Sequence, residues 1–173
     1  MPTKVDFSTL NLQDALDLAI LIEKESEERY LWFADIIGDN YPGDAASFFT
    51  MMARNEKIHG DDLRERRTAL FSDAPSRLNA NMIDDIEAPD LSKPRAQMSP
   101  GLAYDVAMES EIKAYNFFNE ASIGIQDQSV RKLFEELRDE ELGHQELLVK
   151  QKANYSEQDE SDHEQHDIDT PSL

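Results

Sequence analysis

Glu56-Lys57-Ile58-His59 and Glu141-Leu142-Gly143-His144 follow one pattern, Glu-x-x-His. On an α-helix, residues three apart share a face, so a carboxylate and an imidazole at this spacing can grip one metal ion together. Each pair also lies inside a stripe of apolar residues, where a charge without a partner is costly. Two such pairs call for further helices to close around them.

Working outward from the first pair, a helix runs from about Ala45 to Leu70. Its inward stripe is Ala45, Phe49, Met52, Glu56, His59, Leu63 and Leu70. The second pair lies in a helix capped by Asp127, with the stripe Val130, Phe134, Leu137, Glu141, His144 and Leu148; Glu135, Glu136, Arg138, Asp139 and Glu140 read as its solvated exterior. Upstream, Asn11 is a predicted N-cap and Gly38 a helix end. Between them the stripe Leu12, Leu16, Ala19, Glu23, Ser26, Tyr30, Phe33 and Ile37 steps by threes and fours. The remaining helix, third in chain order, starts at Ser99-Pro100, a cap with proline at the first helical position, and ends near Gly124. Here two stripes compete. One reads Leu102, Val106, Glu109, Ile112, Asn116, Asn119 and Ile123; the other reads Tyr104, Ala107, Glu111, Tyr115 and Phe118.

An internal repeat bears on that choice. Glu23-Lys24-Glu25 corresponds to Glu109-Ser110-Glu111, and Glu56-x-x-His59 to Glu141-x-x-His144. Glu23 precedes Glu56 by 33 residues and Glu109 precedes Glu141 by 32, which favours Glu109. At about 1.5 Å per residue, Glu23 and Glu56 fall within roughly 5 Å in height in an antiparallel pair. The second half matches at least as well, so all four carboxylates can meet at the waist of one bundle. Tail residues Glu160 to His163 repeat the motif without an apolar stripe and read as coincidence.

Tyr41-Pro42-Gly43-Asp44 reads as a turn ending in a cap. Residues 72–99, with Pro75, Pro89 and Pro94, read as a long crossover between the second and third helices, in which Ile83 and Ile86 can form a short helical turn. The fold expected is therefore an all-α four-helix bundle over residues 10–155. From Ser156 the chain is acidic and poor in apolar residues, which predicts a disordered tail over 156–173.

Composition excludes several classes. A net charge of −20 disfavours nucleic acid and anionic membrane surfaces and suits small cations. With no cysteine there is no disulfide, thiolate metal site or cysteine nucleophile. No apolar run reaches membrane-spanning length and the N-terminus lacks a signal-peptide pattern, so a cytoplasmic location is the default expectation.

At Glu23-Lys-Glu-Ser-Glu-Glu-Arg-Tyr30, Asn55-Glu56-Lys-Ile-His59-Gly60, Glu109-Ser-Glu-Ile-Lys-Ala-Tyr115 and Leu133 to His144, the chain resembles the ferritin-like superfamily, and within it rubrerythrin-like proteins. The resemblance implies a ferritin-like bundle in which Glu23, Glu56, His59, Glu109, Glu141 and His144 ligate two iron ions, with manganese also accepted by such ligands. It implies that Glu56 and Glu141 bridge the ions. It further implies oxidation of Fe²⁺ or reduction of O₂ or H₂O₂, and self-association, most simply as a homodimer. Two departures qualify it. Rubrerythrins carry a Cys-rich rubredoxin domain, whereas this sequence has no Cys, so an external electron donor or Fe²⁺ itself is expected. They also carry an extra Glu one turn after the third-helix ligand, where this sequence has Ile112, which points to a symmetric six-ligand ferroxidase-like centre. The alternatives are an iron-binding or iron-delivery protein without turnover, and a structural bundle in which Glu and His form buried hydrogen-bonded pairs.

Overall fold

Three of the helices begin where a side chain can satisfy the first free N–H groups. In the computed structural model, which describes residues 9–38, 45–78 and 99–168 with side chains as far as residue 155, four helices carry nearly all of the structure. They are α1 (Leu12–Gly38), α2 (Ala45–Phe71), α3 (Pro100–Gly124) and α4 (Gln128–Ile168). No strand occurs among the described residues. Before α1, Asn11 and Asp14 cap reciprocally: the Asp14 N–H donates to Asn11 Oδ1 at 2.9 Å and the Asn11 N–H to Asp14 Oδ2 at 3.2 Å. Ser99 Oγ accepts from the Leu102 N–H at 3.3 Å and Pro100 opens α3. Asp127 Oδ1 accepts from the N–H groups of Ser129 and Val130. These helix starts are the ones read from the sequence. The expected turn at Tyr41 to Asp44 and the crossover residues 79–98, with Ile83 and Ile86, lie outside the described residues.

α1 pairs with α2, and α3 with α4. The two hairpins enclose a core that falls into two clusters. One holds Leu16, Ile22, Leu63, Phe118, Phe134 and Leu137. The other is aromatic, with Tyr30, Phe33, Phe48, Phe49 and Tyr104; the Phe33 and Phe49 ring centroids are 5.3 Å apart, and those of Phe49 and Tyr104 5.1 Å. Each fully buried ring or branched aliphatic contributes about 1.5–3 kcal/mol, so the two clusters supply the driving force for closure.

The start of the crossover folds back over α1. Gln13 donates to the Pro75 carbonyl at 3.0 Å, and Arg77 Nε donates to Asp14 Oδ1 at 2.9 Å. Arg67 joins Asp17 at 2.8 Å and also donates to the Ser72 carbonyl at 2.7 Å.

α4 runs through Ile168, into the acidic segment that begins at Ser156. Extending an existing helix avoids the cost of nucleation, and Glu and Gln are good helix formers, so low hydrophobicity alone does not end it. In α3, the stripe through Leu102, Glu109 and Ile112 is not the inward one. Ile112 and Ile123 are exposed, whereas Tyr104, Ala107, Glu111, Ala114 and Phe118 are buried.

Candidate metal centre

In every helix the chain passes from one apolar cluster to the other, and the acidic residues sit at the passage. Glu23 lies between Ile22 and Tyr30, Glu56 between Ala53 and Leu63, Glu111 between Ala107 and Ala114, and Glu141 and His144 between Leu137 and Leu148. All five polar residues are buried, at 2–5% exposure. His59 is half-buried. Gly60 allows α1 to come close here: a Cβ at that position would stand 3.4 Å from Glu23 Cβ.

The groups converge. His144 Nδ1 stands 3.3 Å from Glu56 Oε1, 3.4 Å from Glu111 Oε2 and 3.8 Å from Glu141 Oε2. His59 Nδ1 stands 3.9 Å from Glu23 Oε2 and 4.0 Å from Glu140 Oε2. The two imidazoles lie nearly parallel, with ring centroids 5.4 Å apart. Three sets of ligand-capable atoms each fall within 4.8 Å of one another: Glu56 with both histidines, Glu111 with Glu141 and His144, and Glu23 with His59 and Glu140. Glu56 thus groups with both imidazoles, and Glu141 with His144 but not His59.

The structure brings together five of the six residues singled out in the sequence: Glu23, Glu56, His59, Glu141 and His144. Glu109 is not among them. It is exposed, and Glu111 occupies the centre in its place. The connection between α3 and α4 explains the difference. It spans three residues, against six between α1 and α2, so the partner carboxylate must lie three residues closer to its Glu-x-x-His motif. Glu111 precedes Glu141 by 30 residues, three fewer than separate Glu23 from Glu56. The same shift moves the position one turn after the third-helix carboxylate from Ile112 to Ala114, which is buried and also lacks a carboxylate.

Electrostatics single out Glu111. Burial alone raises its carboxyl, but hydrogen bonds with Glu141 and His144, the imidazole charge and the Tyr30 hydroxyl outweigh this and hold it down to about 2. Tyr30 donates to Glu111 Oε1 from the opposite hairpin. Burial, then the Glu111 and Glu56 charges, push the phenol well above its ordinary range, so it remains a donor. Gln145 adds a hydrogen bond to the Glu111 carbonyl at 3.2 Å. His59 is lowered by burial and by its neighbour His144, which keeps the ring neutral and its lone pair free for a cation.

Whether these residues suit a metal is tested by His59 Nδ1. This atom is buried and makes no hydrogen bond, while two carboxylate oxygens stand just beyond hydrogen-bond reach. Buried polar atoms are otherwise nearly always paired. A cation between the ring nitrogen and the carboxylates satisfies all of them and removes the mutual repulsion of the glutamates. The donor set of carboxylates and imidazoles fits iron or manganese.

The sequence profile of the rubrerythrin family matches residues 14–152. The chain belongs to the rubrerythrin family. Among solved structures, this family member is similar to an uncharacterised conserved protein from Magnetospirillum magnetotacticum, at 27% identity and a TM-score of 0.71, over 84% of this chain and 95% of that one. It is also similar in fold to a protein from Thermotoga maritima described as a ferritin-like diiron-carboxylate protein, at 20% identity and a TM-score of 0.54, over 83% of this chain and 95% of that one. No curated protein matches. Like the relatives' fold, that of this rubrerythrin-family chain is a ferritin-like bundle, and no helix among the described residues is long and apolar enough to cross a membrane.

Glu140 is the residue that the sequence reading missed. It was assigned to the outer face of α4, yet its carboxylate reaches across to His59 on α2. The available signal was its place beside Glu141 and one turn before His144, at the edge of the inward stripe.

Proposed function

We propose that the chain is a di-iron protein that oxidises Fe²⁺ or reduces O₂ or H₂O₂, with Glu23, Glu56, His59, Glu111, Glu141 and His144 as ligands. The observation that carries this reading is the convergence, between two apolar clusters, of four buried carboxylates and two imidazoles, one with a buried nitrogen that has no hydrogen-bond partner. When bound, the iron pair supplies the one-electron steps that carboxylates and imidazoles cannot perform themselves. The protein's own residues fix the positions and exclude bulk water. Tyr30 orients Glu111 through its hydroxyl. Glu56, grouped with both imidazoles, would serve both ions. The charges of four glutamates balance those of two divalent cations, so the reduced centre is neutral and tolerates an apolar core. Manganese in place of iron, a homodimeric state, an external electron donor and a cytoplasmic setting without nucleic-acid or membrane partners belong to the same proposal.

Anaerobic loading with Fe²⁺ should give two ions per chain, and O₂ or H₂O₂ should then produce a ferric absorption band. Stoichiometric binding with no response to either oxidant would refute the redox reading. It would favour instead an iron-binding or iron-delivery protein. That second reading draws on residues 156–173, which hold seven acidic residues and no lysine or arginine. It requires that deleting them slow iron uptake.

A further inference from the structure

The two halves of the centre differ. On the His144 side the groups are closed off, with Glu111, Glu141 and His144 side chains 3–6% exposed. On the other side His59 is 27% and Glu140 41% exposed. They line a cavity of about 150 Å³ between α2 and α4, together with Asp62, Arg66 and Glu136. Resting on the di-metal reading above, we propose that Glu140 is a seventh metal ligand, specific to the ion beside His59, and that this ion is reached from solvent through that cavity.

Three observations support the assignment. First, the Glu140 and Glu23 oxygens stand at nearly equal distances from His59 Nδ1, 4.0 and 3.9 Å, a spacing that one cation bound by all three would span. Second, Glu140 is not committed elsewhere. In the same cavity Glu136 is paired with Arg66 at 3.0 Å and with Lys132 at 3.3 Å, whereas among the described residues Glu140 has no lysine or arginine partner. Third, the internal repeat is broken here. Glu140 corresponds to Asn55 in α2, so the His144 side has no equivalent residue. Glu140 supplies to His59 the carboxylate that Glu141 supplies to His144. Consecutive residues of α4 thereby serve the two ions.

Equilibrium dialysis of the full-length apo chain against Mn²⁺, with bound metal counted by elemental analysis, tests this without reference to turnover. The wild type should bind two ions. Glu140→Gln and Glu140→Ala should keep one at wild-type affinity and weaken the other at least tenfold. Glu135→Gln, an exposed charge on the same helix, should match the wild type. If both Glu140 variants bind two ions as the wild type does, or weaken both ions equally, Glu140 is not a ligand of one ion. If Glu135→Gln has the same effect as Glu140→Gln, bulk charge accounts for it and the assignment is wrong. A wild type that binds no Mn²⁺ or Fe²⁺ would instead overturn the di-metal reading, and this inference with it.

Discussion

At the scale of single residues, the Glu109 and Glu111 pair decides whether the centre is read correctly. Glu111 is buried, accepts from Tyr30 and faces His144, whereas Glu109 faces solvent. Glu111→Gln should therefore weaken metal binding by more than the roughly 10- to 100-fold typical of losing a supporting group. Glu109→Gln should leave it unchanged. Metal titration of the two variants side by side checks this, and equal effects would return the ligand to the register suggested by the repeat. Four of the site residues in the two motifs were legible in the sequence because large apolar neighbours frame them: Met52 and Leu63 around Glu56 and His59, Leu137 and Leu148 around Glu141 and His144. The third-helix ligand was not, because its buried neighbours are the small residues Ala107 and Ala114, while the bulkier Ile112 and Ile123 lie on the surface. Apolar bulk marks an inward face only where the facing helix leaves room for it; where backbones come close, alanine takes its place.

At the scale of elements, the caps made helix starts readable, and the same groups set what each end contributes. α2 ends in Ser72, whose φ of 50° is a left-handed conformation that favours glycine. Ser72→Gly should stabilise the protein by about 0.5–1 kcal/mol, seen as a higher urea midpoint at unchanged slope. At the start of α1, burial raises the Asp14 carboxyl, but the Arg77 guanidinium and the Asn11 N–H outweigh this and hold it below the ordinary 3.8. A depressed carboxylate contributes stability above its unfolded value, and loses it as pH falls through the folded one. Asp14→Asn keeps the cap but not the ion pair. Because Arg77 is largely exposed, the variant should be less stable than wild type by under about 1 kcal/mol near pH 7. That difference should shrink as pH falls below the ordinary carboxylate value and vanish once the folded Asp14 carboxyl is protonated. Urea titrations of both proteins across this range measure it, and a difference independent of pH would assign the effect to packing.

At the scale of the molecule, two hairpins are held together by apolar clusters at both ends, with an acidic layer between them. Without cations that layer works against closure, since four carboxylates repel at close range. Metal at about a hundred times its dissociation constant adds about 2.7 kcal/mol per site. Loading both sites with Fe²⁺ or Mn²⁺ should therefore raise the thermal midpoint by roughly 10–20 °C, and chelation should reverse it. An unchanged midpoint would mean that the acidic layer holds no ion in the folded state. The four-helix architecture was legible because the apolar period of each helix is interrupted at one level only, the level of the centre. The difference between the two halves was not, because it depends on a connection three residues shorter and on one glutamate reaching across from a neighbouring helix.

The most direct measurement is anomalous diffraction at the iron edge from crystals loaded with Fe²⁺ under anaerobic conditions. Two peaks are expected between His59 and His144, within bonding distance of Glu23, Glu56, Glu111 and Glu141 and with Glu109 remote from both. Absence of anomalous density between the two imidazoles, or iron bound only by surface carboxylates, would contradict the assignment of this layer as a metal centre.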